Sequence, residues 1–227
     1  MENEVLLQVK GLSFTYGEEP VLKDVNLIIR RGERIAVMGS NGAGKSTFFL
    51  NLNGVLRPDS GEILLCGSKI GKKELNLLRK KVGFVFQDAD SQIIAANVWA
   101  EISFGPMNLG LERREVIRRV DAAVSYLGLE ELQQRAPHYL SGGEKKQVSI
   151  ADILAMEPEL LIFDKLMDAL DPMNAQREAD ILGKLHEDGK TMLVATYDVD
   201  FDWRSADSLP VVCARTLIGV GTPPDIL

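Results

Sequence analysis

Nine consecutive residues, Gly39-Ser40-Asn41-Gly42-Ala43-Gly44-Lys45-Ser46-Thr47, carry the pattern G-x-x-x-x-G-K-[ST], and their types suit the cradling of a polyphosphate. The glycines let successive backbone N–H groups turn inward around phosphate oxygens, and a helix starting after them adds the positive potential of its N-terminus. Lys45 brings a flexible cation to the β and γ oxygens, and Ser46 a hydroxyl for magnesium. Downstream, Leu160-Leu161-Ile162-Phe163-Asp164 is an apolar run ending in a carboxylate, the second metal-side group that such a loop needs. An aspartate at a strand end is by itself an ordinary turn residue; its order after the phosphate loop makes Asp164 the magnesium-side candidate. Leu140-Ser141-Gly142-Gly143-Glu144 sets a hydroxyl and two glycines at the head of a helix, a second anion site.

The elements that must hold these groups are legible around them. The apolar strand Arg34–Met38 enters the glycine-rich loop and a helix begins near Lys45, the strand-loop-helix order of an α/β nucleotide fold. Upstream, VLLQVKGLSFTY and VLKDVNLIIR alternate with turn signals, including Arg31-Gly32-Glu33, and predict an antiparallel N-terminal sheet. Further strands are expected at Val82–Phe86, Leu160–Phe163 and Met192–Ala195. Ser91 to Tyr139 reads as helical: Val116, Val120, Val124 and Leu127 share one face, and Arg113, Arg114, Arg118 and Arg119 fall mainly on a solvated one. The expectation is one domain over 1–227, with a nucleotide-binding core from 1–90 and 145–227 and an inserted helical subdomain over 91–144.

Composition narrows the function classes. With 227 residues, 45% of them hydrophobic, the chain can bury a sizeable core. A net charge of -7 argues against nonspecific binding to nucleic acid or an anionic membrane, leaving room only for a local basic patch. Cys66 and Cys213 have neither metal-ligand nor redox spacing and sit in apolar runs, so buried free thiols in a reducing compartment are expected. There is no basic, then apolar, leader at the N-terminus and no run of ~18 apolar residues. A cytoplasmic protein that reaches a membrane only through a partner is the expectation.

With the phosphate loop, Leu140-Ser141-Gly142-Gly143 and the Asp164 strand in this order, the sequence resembles the nucleotide-binding domains of ABC ATPases over nearly its whole length. The resemblance implies that Ser141, Gly142 and Gly143 contact the γ-phosphate held by an opposite subunit. It implies that Tyr16 stacks on adenine, and that Gln87, after VGFVF, approaches magnesium and links to a transmembrane partner. Asp171, in Ala-Leu-Asp-Pro, matches the loop that crosses the dimer interface. QDADSQIIAANVWAEISFGPMNLGL looks most like the cobalt and vitamin-uptake branch, the ATPases of energy-coupling factor transporters. The implied cofactors are ATP and Mg2+. The implied partners are a transmembrane subunit and a second ABC ATPase, identical or not, at the cytoplasmic face of the membrane. An ABC ATPase acting on DNA or ribosomes would need coiled-coil arms, a fused second copy or basic extensions, and none is present in the sequence.

Three positions depart from that pattern. Lys165 stands where the family has the glutamate that polarises the attacking water, and Leu166-Met167 replace the residues after it. Tyr197 stands where a histidine contacts the γ-phosphate; with an ordinary pKa of ~10 a tyrosine offers no cation and is a poor proton shuttle near neutrality. Gln147 replaces an arginine of the signature helix. Neither His138 nor His186 lies in the expected site. A positioned general base contributes on the order of 100- to 10,000-fold, so its loss predicts binding without efficient turnover. Two functions follow: a transporter ATPase subunit, or a degenerate, nucleotide-dependent regulatory subunit.

Overall fold

In the computed structural model, which describes residues 4–164, 172–195, 209–213 and 216–221, two long strands open the chain. β1 (Val5–Tyr16) and β2 (Glu19–Arg30) alternate covered and exposed residues, the period of a sheet with one face on a core. They pair antiparallel from Val5↔Arg30 to Tyr16↔Glu19. β4 (Ser60–Leu65) adds to the other edge of β1, and β5 (Ser68–Lys69) follows it, giving the order β2-β1-β4-β5.

This second hairpin is absent from the sequence-based expectation, and it corrects the expectation for Cys66. Cys66 and Gly67 have φ of 48° and 77°, the two positive values that a two-residue type I′ turn requires. The thiol therefore sits at a turn apex, free and exposed rather than buried. The side chain of Cys213 lies outside the described residues.

The second sheet is parallel throughout: β3 (Arg34–Val37), β6 (Val82–Val85), β7 (Leu160–Phe163) and β8 (Thr191–Ala195), in the order β3-β8-β7-β6. Every residue of these strands is buried, which is why, after Arg34 and Thr191 at the starts of β3 and β8, they read as apolar runs. Their alternation divides the core in two. Ile35, Val37, Phe84, Leu160, Ile162, Leu193 and Ala195 pack with the antiparallel sheet and α1 (Lys45–Leu52). Val85, Leu161, Phe163, Met192 and Val194 face α3 (Val98–Asn108), α4 (Arg113–Leu127), α5 (Gly142–Ala155) and α6 (Pro172–Glu187). α2 (Leu75–Lys81) precedes β6, and β9 (Leu209–Cys213) with β10 (Thr216–Gly221) forms a separate antiparallel pair. This is the expected α/β core with an N-terminal antiparallel sheet.

α4 buries Val116, Val120, Ala123, Val124 and Leu127 as its spacing predicts. Its arginines are less uniform than a solvated face. Arg118 is exposed, whereas Arg119 folds against α5, donating to the Met156 carbonyl at 3.2 Å and pairing with Glu115 and Glu157. Those arginines hold the Glu115 carboxyl down at about 2.

Candidate functional site

Because β3, β8, β7 and β6 run parallel, their carboxyl ends share one edge of the sheet, and each end runs into a residue singled out in the sequence. Val37 leads into the loop 39–47, Phe163 into Asp164, Val85 into Gln87 and Ala195 toward Tyr197. Asp164 is 6% exposed, and its N–H donates to the Val85 carbonyl at 3.1 Å, tying it to the strand that ends beside Gln87. Gln87 is exposed. Lys165, Tyr197 and Asp171 lie outside the described residues.

The loop itself is built as its glycines demand. Gly42 and Gly44 have φ of 78° and 104°, and a Cβ on Gly44 would come within 3.0 Å of the Val21 carbonyl oxygen and of Leu22. No other residue fits there without moving β2. Gly44 caps α1, whose first turn contains Lys45, Ser46 and Thr47, so the helix N-terminus faces the loop. Val21 and residues Gly42 to Thr47 line a cleft of about 130 Å³. Lys45 is buried, and its ammonium donates to the loop carbonyls of Gly39 and, at 3.0 Å, Ser40. Asn41 and Gly42 are exposed at the lip; Ala43 is buried against the first core.

Tyr16 stands at the tip of the β1–β2 hairpin, half-exposed, with its ring 4.9 Å from that of Phe14 in an edge-on contact. The same hairpin supplies Val21 to the loop cleft, whose lining does not include Tyr16. Ser141, Gly142 and Gly143 are not among the residues lining that cleft. They head α5 instead. Ser141 Oγ accepts from the Glu144 N–H at 3.3 Å, and Glu144 accepts from the Ser141 N–H at 2.7 Å, a reciprocal capping box. The bond from the Ser141 N–H holds the Glu144 carboxyl below the ordinary glutamate value.

Three features of the site have no counterpart among the sequence-derived candidates. Lys146 is 6% exposed and donates to the Phe86 and Gln87 carbonyls. Its spacing to Ser149, Ile150 and Ile153, three, four and seven residues on, was the available signal, since all four belong to one helix face. Glu101 is 2% exposed and accepts from the N–H groups of Ile94 and Ala95 at 2.9 and 2.6 Å, pinning the segment after Gln87. Gln92 donates to the Ser149 carbonyl at 3.1 Å and approaches Asp152 at 3.3 Å. His138 is exposed, in a cleft it shares with Asp90 and Lys145, and His186 is half-buried. A larger cleft of about 230 Å³ lies between the end of α1 and α2, where Lys69 pairs with Glu62 at 2.5 Å.

A model of the ABC transporter family matches residues 22–167. An energy-coupling factor transporter ATP-binding protein of Methanospirillum hungatei is 43% identical over 225 residues, covering 98% of this chain and 56% of that protein. The chain thus spans little more than half that relative's length. Among solved structures, cbiO1 of Clostridium perfringens, described as part of the ABC transporter complex cbiONQ, has a TM-score of 0.89 at 38% identity, with 99% of this chain and 91% of that one covered. A dimeric ATP-binding cassette in a post-hydrolysis state, bound to ADP and Pi, has a TM-score of 0.83 at 28% identity, covering 96% and 99%.

Proposed function

Since the chain belongs to the ABC transporter ATP-binding family, we propose that it binds MgATP and drives import through a membrane transporter of the cobalt and vitamin energy-coupling type. The observation that carries this is the shared carboxyl edge of β3, β7 and β6, which brings the phosphate loop, Asp164 and the Gln87 segment to one side of the sheet. The donors fit the ion. Ser46, Asp164 and Gln87 are oxygen ligands, and magnesium is usually held by one or two protein groups together with substrate phosphates rather than by a full protein cage. That agrees with the absence, among the described residues, of any cluster of three or more His, Cys, Asp or Glu able to hold a metal alone. Bound magnesium would neutralise phosphate charge. Lys45 would leave the carbonyls of Gly39 and Ser40 for the β and γ oxygens, residues 39–47 would wrap the phosphates, and Tyr16 would stack on the base.

In this reading residues 1–90 and 145–227 are the nucleotide-binding core, and 91–144 the helical subdomain ending in the signature. Ser141, Gly142 and Gly143 address the nucleotide of a second ABC ATPase, Asp171 lies at that interface, and a transmembrane subunit docks near Gln87. No helix among the described residues is long and apolar enough to cross a membrane, so the chain would sit peripherally on the cytoplasmic face through that partner. Nucleic acid has no place in it. Replacing Lys45 with alanine is expected to abolish or greatly weaken MgATP binding by calorimetry; unchanged affinity would overturn the assignment.

A second reading of the same site rests on Lys165 and Tyr197. With neither a carboxylate nor a histidine there, the chain binds ATP but turns it over slowly, losing roughly 3–5 kcal/mol of barrier lowering. Paired with a complete relative, it would hold one ATP uncleaved while its signature serves the relative's site. Phosphate release by the pure protein is expected to be very slow, and Lys165→Glu with Tyr197→His is expected to raise it well beyond either single change. Fast release by the unmodified chain would refute this second reading.

A further inference from the structure

The segment that follows β6 is stitched to α5 by side chains, and one of them is a buried cation. Lys145 meets Asp90 at 2.5 Å, and Gln92 reaches the Ser149 carbonyl and Asp152. Between these, the Lys146 ammonium donates to the carbonyls of Phe86 and Gln87. A buried ammonium is costly unless its charge is balanced and its N–H groups are used. Glu178 on α6, 3% exposed, lies within electrostatic reach of Lys146. The oxygens of Glu178 have no hydrogen-bond partner among the described residues. Burial pushes its carboxyl up to about 8, the pull of Lys146 offsetting only part of that shift. The lysine therefore spends its hydrogen bonds on the backbone from which the Gln87 side chain departs.

We propose that Lys146 is a positioning residue for Gln87. It fixes the main chain at the end of β6, from which the Gln87 side chain would reach the metal side of the phosphate site, and it ties that backbone to the helix headed by Ser141, Gly142 and Gly143. A displacement of the signature helix is thereby passed to the magnesium side of the chain's own site. The proposal rests on the magnesium-side reading of Gln87.

The test is titration calorimetry of the full chain with ATP, once in excess magnesium and once in EDTA. Lys146→Met alone also removes the group that pulls the Glu178 carboxyl down, so the informative variant joins Lys146→Met to Glu178→Gln, which leaves a non-titrating neutral side chain of similar volume at both positions. Its affinity for MgATP is expected to fall about tenfold or more, in keeping with the loss of a charged donor, while its affinity for ATP in EDTA stays unchanged. Lys146→Arg should restore most of the MgATP affinity. Gln87→Ala should reproduce the loss, and adding it to the double variant should cost nothing further. Equal losses with and without magnesium, or a loss in Gln87→Ala with none in the double variant, would overturn the role of Lys146. No loss in Gln87→Ala would overturn the reading of Gln87 itself and the proposal with it.

Discussion

Glu144 puts a negative charge at the head of α5, in the same first turn as the glycines that would meet a phosphate. Its carboxyl is held below the ordinary glutamate range, so it stays ionised at every physiological pH. The carboxylate stabilises the free helix through the capping box and the helix dipole, and opposes an incoming anion by the same charge. Glutamine keeps the box and removes the charge. Glu144→Gln is therefore expected to strengthen ATP-dependent dimerisation about two- to fivefold, given the 0.3–1 kcal/mol of a charge at a helix end; sedimentation at varied ATP reads it out, and weaker association would contradict the argument. At this scale the sequence is partly legible. The phosphate loop and Asp164 declare themselves by type and spacing. Lys146 does not, because Glu144-Lys145-Lys146-Gln147 reads as a polar run and only the helix period reveals that its third member turns inward.

Between elements, β6 and α5 approach each other closely. A Cβ on Gly83 would lie 2.3 Å from Ile153 Cγ2 and 3.0 Å from Pro158 Cγ, so this glycine sets how near the signature helix comes to the strand ending beside Gln87. Gly83→Ala is expected to destabilise by about 1–3 kcal/mol through overpacking, seen as a lower melting temperature, and Ile153→Ala in the same chain should recover part of the loss. Wild-type stability in Gly83→Ala would mean that α5 can shift freely. The strands of this layer are legible because burial on both faces makes them apolar runs bounded by turns. The β4–β5 hairpin is not, since Ser60, Gly61, Ser68 and Lys69 are exposed and break the pattern, and Cys66, apolar in its local context, serves as a turn residue.

For the whole molecule, buried acids set a pH dependence. Asp152 is pushed up to about 7, chiefly by burial, with the Gln92 amide pulling it down and the nearby Glu101 charge raising it further. A carboxyl raised in the folded state favours folding while protonated. That contribution is full below the unfolded value near 4 and is lost as pH climbs through about 7. Asp152→Asn, which keeps a neutral group in place, should therefore gain stability relative to wild type as pH rises from 5 to 8, measured by denaturant midpoints. A difference independent of pH would show that Asp152 titrates normally.

The strand carrying the phosphate loop has a further consequence for how the chain is made. Among the described residues, the ladder partner of β3 is β8, which begins at Thr191, long after Val37. At ~5–20 residues per second on a ribosome, β3 waits on the order of ten seconds for that partner, while the β1–β2 hairpin can close almost as soon as it emerges. An apolar, unpaired edge is exposed for that interval, and the nucleotide loop has no fixed frame until the last parallel strand arrives. ATP can thus act as a reporter of completed synthesis: a nascent chain stopped before Thr191 should not bind it, whereas one released after Ala195 should.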